Sequence, residues 1–459
     1  PVNVASSAVH PVAPAQPVEK EKPRRFEEWQ VKRYNEMFDS RSFSKEDVVF
    51  LVGILKECTL GATYSLKRSL RSTKAQMIAS NVMRTLSKAY KEHCDTIHDY
   101  GGIEAFVALT SSEPSTAMVA TCILGQIVPY DYSCRQTFLA CSGLRGILNQ
   151  LTGSLEQVRI GAAALGCMVQ GATDDAQVTR HFTRQLGGIE MIMEVLKRDY
   201  TGEDDELSMN VIYNAVGALG MIGASNTMNQ NYIREVGGIA TLVDVLAHVK
   251  DGGSRISKGV TTALGNLIAR NIENKAAVCA LDGHHHLFTL LMQSAEFAKE
   301  KGTIANGTDE ILRVITNLST EAIMMDAIID KDKDGIGGLL QMLPLSINTT
   351  KHLSVHSAIV RILSSCLQFK ESEVLAQLAQ RCAWKASDEL TNTICAASER
   401  RLSDAEFEEY PHEIEEAIRL CDAFGVAVPD EVRARLTTKR ELDNLGCLMP
   451  LPNEFKCPL

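Results

Sequence analysis

The chain has 459 residues with a formal net charge of −10, and 45% of its residues are hydrophobic but only 5% aromatic. A chain of this length exceeds what one globular core usually supports, so several domains or an extended repeat array is expected. The negative charge argues against nucleic acid or an anionic membrane as the main partner, and it favours protein partners with basic or apolar docking segments.

The thirteen cysteines lack paired spacing, which favours free thiols in a reducing compartment. The sequence shows neither a secretory signal nor an apolar run long enough to span a bilayer. We therefore expect a cytoplasmic or nuclear protein.

The first part of the chain contains little that could form a core. Residues 1–25 are rich in Pro, Ala and Val and then charged, a composition typical of a disordered tail. Residues 26–44 predict a short N-terminal helix. Ser44 and Asp47 have capping-box spacing, and the apolar stripe that follows opens a repeated region at residue 45.

Within this region a glycine stands six times directly before apolar residues spaced i, i+3, i+4 and i+7, the pattern of one helix face. We expect each glycine to supply a left-handed or tight turn that ends one helix and starts the next. Successive glycines are 41, 45, 50, 45 and 52 residues apart, a period that indicates a helical repeat array. The six are Gly102, Gly143, Gly188, Gly238, Gly283 and Gly335.

A second segment also recurs, upstream of the next glycine. It reads Ala-Leu-Gly at 164–166, 218–220 and 263–265, with related versions at 123–127 and 314–318. Its small residues predict a close approach between helices. Because two of the steps are long, we also expect inserted loops, of which the acidic stretch from 199 to 209 is the clearest.

Together, the pattern Gly-Gly-Ile-x-x-Leu-Val-x-x-Leu, then Ala-Leu-x-Asn-Leu, then Asn-x-x-x-Val and another glycine resembles the armadillo repeat. The resemblance covers residues 45–376. It implies an all-α, right-handed superhelical solenoid with three helices per repeat, whose third helices line a concave groove. Residues 377–450 still look helical, and we expect them to form a C-terminal cap or linker.

The resemblance also points to a binding groove. In armadillo proteins similar to importin-α, an asparagine recurs on the third helix and binds the backbone of a peptide, because its amide both donates and accepts. Here only two of seven corresponding residues are asparagine, and Trp29 and Trp384 fall outside the array. An alternative is that these residues only cap and pack helices. The seven are Thr85, Gln126, Cys167, Met221, Asn266, Asn317 and Ser365.

The last nine residues, 451–459, resemble the opening of a U-box, the zinc-free relative of the RING domain. In that family this segment leads into a loop that docks a ubiquitin-conjugating enzyme, which implies such a partner through sequence beyond the chain end. A chance match of nine residues is the alternative. The matching residues are Leu451, Pro452, Phe455, Cys457 and Pro458.

Two further segments imitate metal sites, but we expect no metal and no cofactor. Residues 330–335 resemble half of a calcium-binding EF-hand loop, yet Gln341 stands where the bidentate glutamate belongs. Residues 284–286 are three histidines that point in different directions from a helix. No catalytic motif is present, so the array itself is expected to be non-catalytic.

Three functions follow in order of preference. The first is a protein-interaction scaffold, in its sharper form the substrate-recognition or regulatory arm of a U-box ubiquitin-protein ligase. The alternative is a non-catalytic structural or transport adaptor, for example in a cytoskeletal or ciliary assembly. An independent enzyme comes last, because the array has no catalytic motif. Ubiquitin transfer belongs to the first function and would require a full U-box after Leu459.

Overall fold

The computed structural model describes residues 43–64, 73–171, 173–198, 206–249, 254–347 and 353–382. Across these ranges the protein is helical without any strand, which confirms the predicted all-α solenoid. None of the helices in these ranges combines the length and apolarity that a bilayer crossing requires. The chain divides into two units, Pro1–Gly102 and Ile103–Leu459.

The first unit contains helices α1 (Lys45–Tyr64) and α2 (Thr73–Asp99). The predicted capping box at the start of α1 is confirmed, because the amide of Asp47 donates to Ser44 Oγ over 3.2 Å and the amide of Ser44 donates to Asp47 Oδ2 over 3.1 Å. Helix α2 is interrupted at His93, where φ is −133° and ψ is 26°. It therefore consists of two helical segments in sequence.

The second unit repeats a set of three helices. In chain order its helices are α3 (Gly102–Leu109), α4 (Pro114–Ile127), α5 (Tyr132–Ala140), α6 (Gly143–Gln150), α7 (Leu155–Met168), α8 (Asp174–Gln185), α9 (Gly188–Leu196), α10 (Glu206–Gly223), α11 (Thr227–Glu235), α12 (Gly238–Ala247), α13 (Arg255–Ile268), α14 (Ile272–Ala280), α15 (Gly283–Lys301), α16 (Thr308–Leu318), α17 (Ala322–Ile329), α18 (Gly335–Ile347) and α19 (Leu353–Cys382). The first of these, α3, begins at the last residue of the first unit.

All six repeats have a second helix (α3, α6, α9, α12, α15, α18) and a third helix (α4, α7, α10, α13, α16, α19). In the last five repeats these follow a short first helix (α5, α8, α11, α14, α17). All six second helices begin at a predicted glycine. From α4 to α19, each third helix packs against the third helix of the next repeat. The leucine of the Ala-Leu-Gly segment, represented by Leu165, Leu219 and Leu264, is fully buried in this core.

The six glycines are needed for close packing more than for a left-handed turn, which corrects the expected reason for their presence. A Cβ on Gly283 would lie 2.7 Å from Val278 Cγ1 and 2.9 Å from Val278 O in the preceding first helix. On Gly102 it would lie 2.6 Å from Ile97 Cγ2. The left-handed conformation falls on the residue before, for example Asp282 with φ of 60°.

The small residues of the second recurring segment do allow close helix approach, as predicted. A Cβ on Gly125 would lie 3.1 Å from Ala164 Cα, and one on Gly220 would lie 2.5 Å from Ala263 Cα. Each of these contacts joins one third helix to the next. Glycine at these positions therefore sets the distance between neighbouring repeats.

The predicted acidic loop at 199–209 is wrong over its last four residues. Residues 199–205 lie outside the described residues, but α10 begins at Glu206, so the last four residues of that predicted loop are helical. An acidic side chain in a first turn interacts favourably with the helix dipole, which suits Glu206 as a starting residue. The acidic composition that suggested a loop also fits a helix N-terminus.

Buried asparagines connect the first helices of successive repeats. The Asn271 side chain caps α14 by accepting from the Asn274 amide over 3.0 Å. Asn274 is fully buried, and its Nδ2 donates to Gln230 O of the preceding first helix over 3.2 Å and to Leu267 O over 2.9 Å. Asn229 makes the equivalent pair of bonds one repeat earlier.

Candidate functional site

Six of the seven predicted groove residues lie on one surface of the second unit. They occupy one matched position on the six third helices and are all half-buried. We call this surface the third-helix face; its defining residues are Gln126, Cys167, Met221, Asn266, Asn317 and Ser365. Because consecutive third helices pack together, these side chains form a continuous row.

Thr85 belongs to the first unit and differs from the other six. It is 2% exposed, and its hydroxyl donates to Asn81 O one turn earlier over 2.9 Å. A Thr side chain that bonds the preceding turn of its own helix serves local structure.

The two asparagines of the face differ in the hydrogen bonding of their side-chain amides. Asn266 Nδ2 lies 3.5 Å from Gly220 O, and Asn266 Oδ1 lies 3.5 Å from Arg313 Nη1, so both ends of this amide face protein atoms at the limit of hydrogen bonding. Within the described residues, the Asn317 side chain makes no hydrogen bond. Asn317 therefore offers an amide to a ligand more directly than Asn266 does.

The other members of the row have weaker or local contacts. Ser365 Oγ donates to Arg361 O over 3.0 Å and lies 3.3 Å from Ser319 Oγ. Gln126 Nε2 is 3.9 Å from Cys122 Sγ, a weak interaction that leaves its carbonyl oxygen without a described partner. These side chains can rotate toward a ligand at small cost.

Sequence reasoning missed a second set of residues, which lies four and eight positions before the row. Positions i−4 and i−8 share a helix face with position i, so helical periodicity alone could have identified them. Arg313 is one of these residues and is exposed. Arg159, Tyr213, Lys258, Asp309, Arg313 and Arg361 belong to this set.

An aromatic and a basic side chain stack at the centre of the face. The Arg255 guanidinium lies 4.9 Å from the centroid of the Tyr213 ring, within cation–π range. Arg255 Nη1 also donates to Asn210 Oδ1 over 3.2 Å. These contacts join α10 to α13 and hold a positive charge at the surface.

An ion pair joins α13 to α16. Lys258 Nζ lies 2.9 Å from Glu310 Oε1. Burial, reinforced by the neighbouring Asp309, raises the pKa of Glu310 to about 7. Burial opposes the charged form of Lys258, but the hydrogen bond and charge of Glu310 outweigh it and raise the pKa of Lys258.

The two segments that imitate metal sites have structural roles in the fold. Asp334 Oδ1 accepts from the amide of Gly337 over 3.1 Å, so it caps the start of α18. Asp330 lies 3.7 Å from Lys333 Nζ and accepts from the Asp332 amide over 3.0 Å. Burial lowers the pKa of His284, which favours its neutral form.

Several predicted segments lie outside the described residues. They are the tail at 1–25, nearly all of the helix at 26–44, most of the cap at 377–450 and the U-box-like residues 451–459.

A scan against protein-family models and a search of curated proteins gave no match. Among solved structures, an engineered protein is 19% identical with a TM-score of 0.58, over 85% of this chain and 88% of its own length. A designed armadillo repeat protein is 17% identical with a TM-score of 0.46, over 57% of this chain and 99% of its own. Another, solved with the peptide (KR)4, is 16% identical with a TM-score of 0.45, over 57% and 99%. The first likeness shows the fold, an all-α repeat solenoid.

Proposed function

We propose that this protein is an interaction scaffold whose third-helix face binds an extended segment of a partner protein. The observation that supports this most directly is the continuous row of half-exposed side chains on six consecutive third helices. An extended peptide presents backbone donors and acceptors along its length, and a side-chain amide such as that of Asn317 can bind both.

The sharper form of the proposal makes this array the substrate-recognition or regulatory arm of a U-box ubiquitin-protein ligase. Its support is the resemblance of residues 451–459 to the opening of a U-box. A ubiquitin-conjugating enzyme would then be a second partner, bound through sequence beyond Leu459.

Peptide selection tests the scaffold. Peptides from a random phage-displayed library are selected on the full chain, and the affinity of a selected peptide is compared between Asn317→Ala and Asn149→Ala. Asn149 is exposed on the second helix α6, so it provides the same substitution away from the face. We expect Asn317→Ala alone to weaken binding by about 1–2 kcal/mol, because it removes one or two hydrogen bonds to the ligand.

Equal affinities for the two variants would place the binding site elsewhere and contradict the scaffold proposal in this form. The ligase form has a separate test in the C-terminal peptide map and intact mass of the native protein. A sequence that continues as a U-box supports it. A native chain ending at Leu459 contradicts it and favours the adaptor function.

A further inference from the structure

Part of the third-helix face has an excess of basic residues, although the whole chain is negatively charged. The chain carries a formal charge of −10. In contrast, the third-helix segments 255–268, 308–318 and 353–365 contain four arginine or lysine residues and only two carboxylates. We propose that this part of the face binds an acidic segment of a partner protein, a refinement that rests on the proposed function.

The basic character is confined to one half of the face. The helix α4 has no charged residue, α10 has only Glu206, and in α7 the single arginine, Arg159, is paired with Glu156 at 2.6 Å. The positive charges begin with Arg255 at the start of α13 and continue through α16 and α19. A ligand with carboxylates at one end would therefore bind in one direction.

Arg313 is the residue best placed to receive a carboxylate. The contacts through small residues that join earlier third helices are absent between α13 and α16. There the space over Gly265 is occupied by the Arg313 guanidinium instead of an alanine. A Cβ on Gly265 would lie 2.7 Å from Arg313 Nη2 and 2.8 Å from its Cζ. The guanidinium is thus laid across α13, where Nη2 donates to Thr262 O over 3.3 Å and Nη1 approaches Asn266 Oδ1 at 3.5 Å.

These two partners of Arg313 are neutral oxygens, so they orient the guanidinium without neutralising it. Arg255 is held in the same way, by the neutral Asn210 amide and the Tyr213 ring. A guanidinium that is already oriented loses little side-chain entropy on binding and matches the two oxygens of a carboxylate. Both exposed arginines are therefore prepared for an anionic ligand.

The carboxylates nearby reduce this positive charge only in part. Glu310 is buried against Lys258, and its raised pKa keeps it partly protonated near neutral pH. Asp309 lies beside it. Partial burial of its carboxyl group would raise the pKa of Asp309, but hydrogen bonding and the charge of Lys258 outweigh this and lower that pKa, so Asp309 remains ionised. The two carboxylates therefore offset only part of the positive charge of Arg255, Lys258 and Arg313.

A peptide fits this surface better than a nucleic acid does. The charge of −10 on the whole chain repels a long polyanion beyond the patch, whereas a short acidic segment stays within the local field. The adjacent Asn317 amide suits a peptide backbone. The distribution of charge along the face therefore reverses the preference for basic partners that the net charge alone suggested.

The test starts from the random phage-displayed peptide library, selected on the full chain. We expect enrichment of Asp and Glu over the starting library, and binding that weakens as salt rises and the Debye length falls below about 10 Å. Arg313→Gln should weaken a selected peptide about tenfold or more, since a hydrogen bond to a charged group is lost. Arg145→Gln, which removes an exposed arginine from α6, should leave its affinity within about twofold.

Far-UV circular dichroism and thermal melting will check that both variants remain folded. Arg255→Gln tests a second arginine of the patch in the same way. Selected peptides that are neutral or basic but sensitive to Asn317→Ala would overturn the acidic-segment proposal and leave the scaffold intact. Peptides insensitive to Asn317→Ala, Arg255→Gln and Arg313→Gln would overturn both. Displacement of a selected peptide by a single-stranded oligonucleotide at physiological salt would assign the patch to nucleic acid and overturn the proposal.

Discussion

Two glycines on the same third helix allow the packing between repeats to be measured. Gly220 and Gly217 both lie within α10, three residues apart. A Cβ on Gly220 would lie 2.5 Å from Ala263 Cα and 2.7 Å from Ala263 Cβ, whereas a Cβ on Gly217 would meet nothing within 4 Å. The same substitution to alanine should therefore have opposite effects at the two positions.

The magnitudes follow from two contributions. Alanine in place of glycine inside a helix gains about 1 kcal/mol of helix propensity, and this gain applies to both variants. At Gly220 the new methyl group meets backbone atoms, so α13 must shift, and overpacking of this kind costs about 1–3 kcal/mol. Because the propensity gain cancels, the difference in unfolding free energy between Gly217→Ala and Gly220→Ala isolates the packing cost.

Urea unfolding followed by far-UV circular dichroism measures this difference, and midpoints are compared at equal m-values. We expect Gly217→Ala to raise the midpoint and Gly220→Ala to lower it. If both midpoints rise by similar amounts, the third helices are not in the close contact that Gly220 and Ala263 indicate, and the reasoning about repeat spacing fails.

Two further predictions concern buried polar groups. Asn274→Ala should cost about 2–4 kcal/mol of unfolding free energy in the same urea assay, because two buried carbonyls lose their donor; a loss below about 0.5 kcal/mol would contradict the role of this asparagine. For Glu310, burial raises the folded pKa from 4.5 to about 7, so the folded state holds the proton more tightly than the unfolded chain. Its stabilising effect is complete below about pH 4.5 and is lost as the pH rises to about 7, by at most about 3 kcal/mol. Glu310→Gln should remove this dependence. If the urea midpoint of the variant still changes between pH 5 and 8 as that of the unsubstituted protein does, the assignment is refuted.

Much of the fold could be predicted because its signals are local. The starts of the second helices coincide with glycines, and the Ser44 cap lies three residues from its partner. The reason for the glycines could not be read from spacing, since a Cβ at Gly283 is excluded by Val278, a contact that exists only after the first helix has packed. The composition of 206–209 predicts a loop although these residues are helical, because acidic residues are common both in loops and at helix N-termini.

For the candidate site, the sequence predicts the positions of the asparagines but not their hydrogen bonding. The matched position of Asn266 and Asn317 follows from the repeat, so an alignment of the repeats locates it. The Asn266 amide is turned toward Gly220 and Arg313, and these contacts depend on the distance between helices of different repeats. A repeat pattern thus gives the position of a side chain, while the adjacent repeats determine whether it remains available to a ligand.

The same dependence on neighbours explains where the basic patch begins. The glycines at 125, 166 and 220 each face an alanine of the next third helix, and the helices there meet through small apolar contacts. At Gly265 the facing residue of the next third helix, α16, is Arg313 instead of an alanine. The recurring segment of α16 also has Thr316 at the position where the earlier third helices have glycine. The Arg313 side chain is exposed, and its guanidinium is oriented by the Thr262 carbonyl and the Asn266 amide oxygen. The break in the packing pattern and the appearance of an oriented positive charge are therefore one structural change, which is why the binding surface is expected at α13 and α16.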